Sequence, residues 1–258
     1  MPHNDALGQH KPKIAIALIL TFSSGMVDIV GYAGIYRLFT AHVTGTTVHF
    51  GRSLVLGNRI DVIAALAIVA AFFLGSVLGR AIIEAAARRK FRRIATITLT
   101  IEAGMLAIVA IAKTSPAPEA MQPGNVYLFL ALLAAAMGMQ TATLTGIGPL
   151  TVHTTFVTGM INKLGQLVSR ILFRAYDFLR GRERSPQRVA EQRAESRQAA
   201  FLFAIWICYV LGAAGGTASF LKFGMRTLFL AIIGMAIAIS TDLVKPLSIE
   251  EEREQSER

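Results

Sequence analysis

The sequence predicts an all-helical membrane protein of six transmembrane helices, arranged as two inverted three-helix repeats, each with a re-entrant or half-length Thr-Gly helix. Three observations predict it. The apolar residues fall into six long, nearly uncharged runs. Lys and Arg gather in alternate connections. A short pattern, Gly-Met, then Thr-Gly, then Leu-Gly-x-x-x-Gly, occurs twice in the same order.

Of the 258 residues, 53% are hydrophobic and only 16% are charged, against roughly 25% charge in soluble domains. The first run, 14–36, holds one charge, Asp28; the second, 62–79, holds none; the third, 94–112, holds Glu102. Runs 126–150 and 199–221 are uncharged, and 224–241 carries only Arg226. About 20 helical residues cross the hydrocarbon, and backbone polar groups in lipid need internal partners, which selects helices. The segment 11–25 also resembles a signal peptide, with a basic start and a short apolar core. Its apolar stretch continues past Gly25 to Tyr36, which favours a first spanning helix.

With the amino terminus inside, segments 1–13, 80–93, 174–198 and the tail after 241 share a side and hold eighteen Lys and Arg, against six in the opposite connections. Positive loops stay in the cytoplasm, so both termini are expected there. The organisation is then a cytoplasmic start (1–13), a first repeat (14–112), an external loop (113–124), a second repeat with its basic loop 174–198 (125–242), and a charged, disordered tail (243–258). The stretch 180–198 has a good helix start at Ser185-Pro186 and is expected to lie on the anionic inner leaflet, each cation contributing about 1 kcal/mol. The net charge of +10 belongs to these loops, so no nucleic-acid partner is expected; the partner is the lipid bilayer.

Two polar stretches interrupt this pattern. HVTGTTVHFG (42–51) aligns with FVTGMINKLG (156–165), GMVDIVGYAG (25–34) with GMQTATLTGI (138–147), and LGSVLG (74–79) with LGAAGG (211–216). A net crossing by either Thr-Gly stretch would misplace the basic loops without other changes, so each is expected to dip in from one side, lined by protein or water, with a seventh or eighth short span as the rival. Three spans per half is an odd number, which inverts the second half. In inverted repeats the substrate site lies near the midplane, where interrupted helices of both halves meet.

The candidate pathway residues follow from this. Asp28 is a mid-run carboxylate, and such groups face a cavity or a partner; it is a candidate proton or cation site, or a carboxylate bonded to helix ends. Its repeat equivalent is Thr141, beside Gln140. Thr44, Gly45, Thr158 and Gly159 suit a helix start, as caps or as anion-binding backbone. His49 and Lys163 occupy equivalent positions and are expected to face the cavity; histidine titrates near neutral pH, which suits a proton relay. Asn162 is polar glue or pathway. Secondary candidates are His42 and His153, at helix ends, and Glu102, expected to pair with Arg80 or the basic cluster 88–93 or to line the path. Gly75, Gly79, Gly212 and Gly216 are expected to serve close helix packing. Cys208 is read as packing. No metal-ligand spacing, HExxH motif or nucleophile elbow occurs, so no cofactor or metal is expected and an enzyme is disfavoured. The reading is a small-solute secondary transporter, with a channel or a lipid-binding or scaffold protein as the rival.

Gly25-Met26-Val27-Asp28 in the first helix, Thr44-Gly45 with Gly51 beyond it, and the mid-chain Gly138-Met139-Gln140 with the second Thr-Gly resemble the YoaK-like family of uncharacterised bacterial multi-pass inner-membrane proteins, over roughly residues 14–242. The resemblance implies a bacterial plasma-membrane location and supplies no substrate. The family pattern has Asn after the first Thr-Gly; this chain has Thr46, so no role of that Asn carries over.

Overall fold

The computed structural model describes residues 11–89, 91, 93–112, 123–143, 146–147, 150–151, 155, 157–180 and 186–244. His153, most of the expected external loop, and nearly all of the charged tail lie outside the described residues.

Among the described residues eight α-helices follow in order: α1 (Lys11–Gly31), α2 (Val43–Leu56), α3 (Arg59–Arg88), α4 (Ile94–Ala112), α5 (Pro123–Thr143), α6 (Val157–Leu179), α7 (Pro186–Phe223) and α8 (Leu228–Val244). Among the described residues five stretches are long and apolar enough to cross a membrane: Pro12–Tyr36, Arg59–Arg88, Ala95–Ala112, Gly124–Thr143 and Gln187–Val244. The last is 58 residues long and accounts for two of the six expected runs. A 3-10 turn, Gly224–Thr227, divides it, with Gly224 at φ +56°. The chain doubles back there: Gly216 lies beside Met26 and Ile29 on α1, whereas Met225 lies beside Gly34 and Gly234 beside Ser23. Thus α7 runs parallel to α1, and α8 runs antiparallel to it.

The expected run 126–150 ends earlier as a helix. α5 stops at Thr143, and a two-residue ladder pairs Gly146 with Thr151 and Ile147 with Leu150.

The two Thr-Gly stretches do form helices, but of unequal length. α2 has 14 residues, about 21 Å at 1.5 Å per residue, short of a bilayer core. Its end is set by Gly57, at φ +69°, whose N–H reaches the Leu54 carbonyl, and Asn58 then caps α3 by accepting the Asp61 N–H. α6 has 23 residues, and its length departs from a half-helix. Its far end lies against the start of α7. There Arg174 bridges Glu191 at 3.4 Å and Glu195 at 3.2 Å, and Arg170 reaches Glu195 at 3.8 Å. The basic segment expected on the leaflet is therefore helical from Pro186 onward and partnered with α6.

Two helix pairs hold the centre through glycine. A Cβ on Gly75 of α3 would strike the Ala135 carbonyl of α5, and one on Gly212 of α7 would strike the Phe22 carbonyl of α1. Conversely, Gly138 of α5 abuts Phe72, and Gly25 of α1 abuts Tyr209. Gly79 packs by Met139 and Gly216 by Met26. Such closeness brings the backbones into van der Waals contact. The sequence alignment, extended without gaps, pairs Phe22 with Ala135, Met26 with Met139 and Phe72 with Tyr209. Each contact in α1·α7 thus has its counterpart in α5·α3. Gln140 lies at Leu20 and Leu133 at Gly31, so α1 and α5, the leading helices of the two halves, run antiparallel.

The main apolar core joins α1, α3, α4, α5 and α8, with Leu20, Val27, Ile68, Leu99, Leu106, Leu130, Met137 and Met235 buried. A second cluster, Ala17, Met160, Leu167, Leu202 and Ile205, fastens α6 to α1 and α7.

Candidate functional site

The site grows from the end of α1. The helix loosens into a π-helical turn, Tyr32–Tyr36, and closes at Arg37 with φ 49°. The chain then reverses and enters α2. The donors before α2 have no helical partner of their own. Asp28, one helix away and 2% exposed, supplies it. Its Oδ1 accepts the Thr40 N–H at 2.9 Å, the Thr40 hydroxyl at 2.9 Å and the Ala41 N–H at 2.8 Å. Its Oδ2 accepts the Tyr209 hydroxyl of α7 at 2.6 Å. The carboxylate therefore joins α1, the start of α2 and α7.

His42 stands next to it. Its Nε2 is 4.0 Å from Asp28 Oδ2 and 3.3 Å from the Tyr209 hydroxyl. The rings of Phe39 and Tyr209 meet the imidazole edge-on, and Tyr32 stacks on Phe39 with centroids 4.6 Å apart.

Beside His42 lies a cavity of about 230 Å³. Ala41, His42, Val43 and Thr44 line it from the first Thr-Gly stretch, and Thr155, Val157 and Thr158 from the second. Phe72 of α3 and Thr141 of α5 complete the wall. The Thr141 hydroxyl donates to the Met137 carbonyl at 2.8 Å and meets the Thr155 hydroxyl. Ala41 and Thr155, Val43 and Val157, and Thr44 and Thr158 are partners in the alignment of the two stretches. The cavity is thus bounded by the starts of α2 and α6.

The structure places the expected residues unequally. Thr44, Thr158 and His42 meet at the cavity, and Asp28 is one side chain behind it. Gly45, Gly159, Gln140, Asn162, His49 and Lys163 are not in its wall. Gln140 is buried and donates to the Leu20 carbonyl at 2.8 Å, tying α5 to α1. The expectation that His49 and Lys163 both face the cavity is corrected. His49 Nε2 lies 3.6 Å from Asp61 Oδ2, beyond hydrogen-bond length, where the α2–α3 hairpin draws the imidazole to the acid of the first turn of α3. Lys163 is one turn further along α6 than Thr158. Asn162 belongs instead to an open groove along α6 with Gly165, Gln166, Ser169 and Arg170. Glu102 is fully buried near the middle of α4, and among the described residues neither carboxyl oxygen has a hydrogen-bond partner, so the expected pairing with Arg80 is not found.

Several site residues were absent from the sequence reading. Tyr209 reads as one aromatic ring in an apolar run, yet it stands three residues before Gly212, as Phe72 stands before Gly75. That shared spacing was the available signal. Thr40 and Thr155 carried none, because their partners are distant in sequence. Asp242, fully buried, accepts the Thr96 N–H at 3.0 Å and hydroxyl at 2.7 Å, anchoring α8 to the start of α4.

Comparison with known proteins agrees with a multi-pass membrane protein. The transmembrane protein YoaK (UPF0700) of Bacillus subtilis (strain 168) is 26% identical over 155 residues, which are 60% of this chain and 67% of that protein. No solved structure matches. A family described as "Protein of unknown function (DUF1275)" matches residues 16–241. With nearly the whole apolar part of the chain inside that match, this protein belongs to the DUF1275 family.

Proposed function

We propose that the protein is a secondary transporter of a small solute, built from two inverted halves, with its solute site in the cavity between the starts of α2 and α6. One observation carries the reading: corresponding residues of both Thr-Gly stretches, Thr44 with Thr158 and Val43 with Val157, line the same cavity. Sites formed where interrupted helices of inverted halves converge are the common plan of such transporters. The antiparallel α1 and α5, and the matched glycine contacts of α1·α7 and α5·α3, support the inverted arrangement.

Asp28 is the proposed coupling group. Tyr209 bonds to Asp28 and lies 3.3 Å from His42, which lines the cavity. This chain of contacts gives a proton a path between a buried carboxylate and the solute. The reading assigns no bond-making step to the site, and it places both termini in the cytoplasm of a bacterial inner membrane.

The test is binding followed by uptake. A solute that binds the folded protein raises its thermal stability by mass action, so a small-solute library at two pH values identifies ligands. Uptake of a hit into proteoliposomes should saturate, and Thr44→Val with Thr158→Val should abolish it. Asp28→Asn should remove its dependence on an imposed proton gradient. Flux that rises linearly with concentration and ignores both threonines would move the protein to the channel reading.

A further inference from the structure

We propose that the cavity takes a small carboxylate, bound where the second half lacks the acid that the first half carries in its own chain. The inference rests on the solute-site reading above and names the ligand class.

In the first half, the carboxyl group of Asp28 sits between Ala41, whose N–H it accepts, and Tyr209, whose hydroxyl it accepts. The alignment sends Asp28 to Thr141, Ala41 to Thr155 and Tyr209 to Phe72. All three counterparts line the cavity. One corresponding pair still meets, through different atoms: the Thr141 and Thr155 hydroxyls touch, where Asp28 accepts the Ala41 N–H. What differs is the acid. Thr141 is shorter, is uncharged, and turns its hydroxyl back to Met137. The counterpart of the Asp28 position, Thr141, lines the cavity.

The first half also shows how such a site holds its anion. Asp28 takes four hydrogen bonds from backbone and hydroxyl donors and no Lys or Arg. Backbone N–H groups and hydroxyls of that kind are sufficient partners for a carboxyl group without a cation. The cavity offers the hydroxyls of Thr44 and Thr158 and the imidazole of His42, while the Thr155 hydroxyl is engaged by Thr141. His42 stands between the two acid positions, so it separates a bound carboxylate from Asp28. At about 230 Å³ the space suits an acid of a few carbons, below the roughly 300–1,000 Å³ of drug-sized pockets.

The experiment is thermal unfolding of the purified full-length protein in detergent with acetate or lactate, against acetamide and chloride at matched ionic strength. Acetate or lactate should raise the melting temperature in a saturable way, and the controls should not. Thr141→Asp supplies the missing acid. It should fold at least as stably as the parent and lose the carboxylate response. Phe72→Tyr adds the hydroxyl that Tyr209 gives Asp28, and should lower the half-saturating concentration by about tenfold. Phe72→Tyr keeps the proposal testable should Thr141→Asp not fold. The proposal is overturned if acetamide matches acetate, if Thr141→Asp folds and keeps the full response, or if Phe72→Tyr leaves the midpoint unchanged. Stabilisation by a neutral solute alone would remove the carboxylate and leave the solute site standing.

Discussion

Tyr209 donates its hydroxyl to Asp28 at 2.6 Å across a sequence separation of 181 residues, joining α7 to α1 at the point where the chain turns into α2. The bond is made to a carboxylate that is 2% exposed, so its loss leaves a buried acceptor lone pair without a donor.

Tyr209→Phe should therefore destabilise the protein by about 1.5–3 kcal/mol, the range for a hydrogen bond to a charged group. Asp28→Ala should cost more, because the N–H groups of Thr40 and Ala41 and the Thr40 hydroxyl lose their acceptor together. Thermal unfolding in detergent measures both. Equal melting temperatures for Tyr209→Phe and the parent would mean that the bond contributes nothing.

The glycines divide into two groups with opposite expectations. Gly75→Ala and Gly212→Ala each drive a methyl group into a facing carbonyl, so the helix pairs must separate; overpacking of this kind costs roughly 1–3 kcal/mol or more. Gly45, Gly51 and Gly165 have open space around the Cβ position. There the helix gains from alanine, by roughly 0.5–1 kcal/mol each. Size-exclusion profiles and melting temperatures of the five variants separate the groups, and a uniform response across them would contradict the packing described.

The polar face of α6 should be wet. Asn162, Gln166 and Ser169 line an open groove, whereas Ile161, Val168 and Leu172 are exposed on another side of the same helix. With the single cysteine replaced by Cys208→Ala, single cysteines at the first three positions should react with a charged, membrane-impermeant thiol reagent in vesicles open on that side. Cysteines at the apolar three should not. Labelling without this helical pattern would show that the groove does not face water.

Arg174 joins α6 to the start of α7 through two carboxylates, and Glu195 is largely buried. Arg174→Ala should destabilise this pair by about 1–2 kcal/mol, by leaving a carboxylate short of its partner. Hydrogen exchange should quicken over residues 186–198 and not in α4 or α5. Unchanged exchange there would mean that apolar packing alone holds the hairpin.

Much of the architecture was legible in the chain, because membrane insertion depends on local composition. Apolar runs without charge become helices wherever they stand, and α3 and α4 fall where the hydropathy places them. Thr44 and Thr158 were legible for a second reason: the pattern repeats, so one half points to the other. Tyr209 and Thr155 were hidden because hydroxyls are ordinary residues until a distant acceptor gives them a role. His49 was misread because its alignment with Lys163 carries no information about Asp61, which belongs to the next helix. The ion pairs of α6 to Glu191 and Glu195 were hidden as well, since their partners belong to the next helix.

By itself the sequence determined the membrane class, the family pattern, the number of apolar runs and the paired Thr-Gly helices, all of which are properties of neighbouring residues or of a spacing. Tertiary structure alone decided that Asp28 is bound by four donors, that Gly75 and Gly212 touch facing backbones, and that Thr44 and Thr158 line one cavity. Those outcomes depend on which helices cross at which depth, and that is settled by packing between residues more than a hundred positions apart.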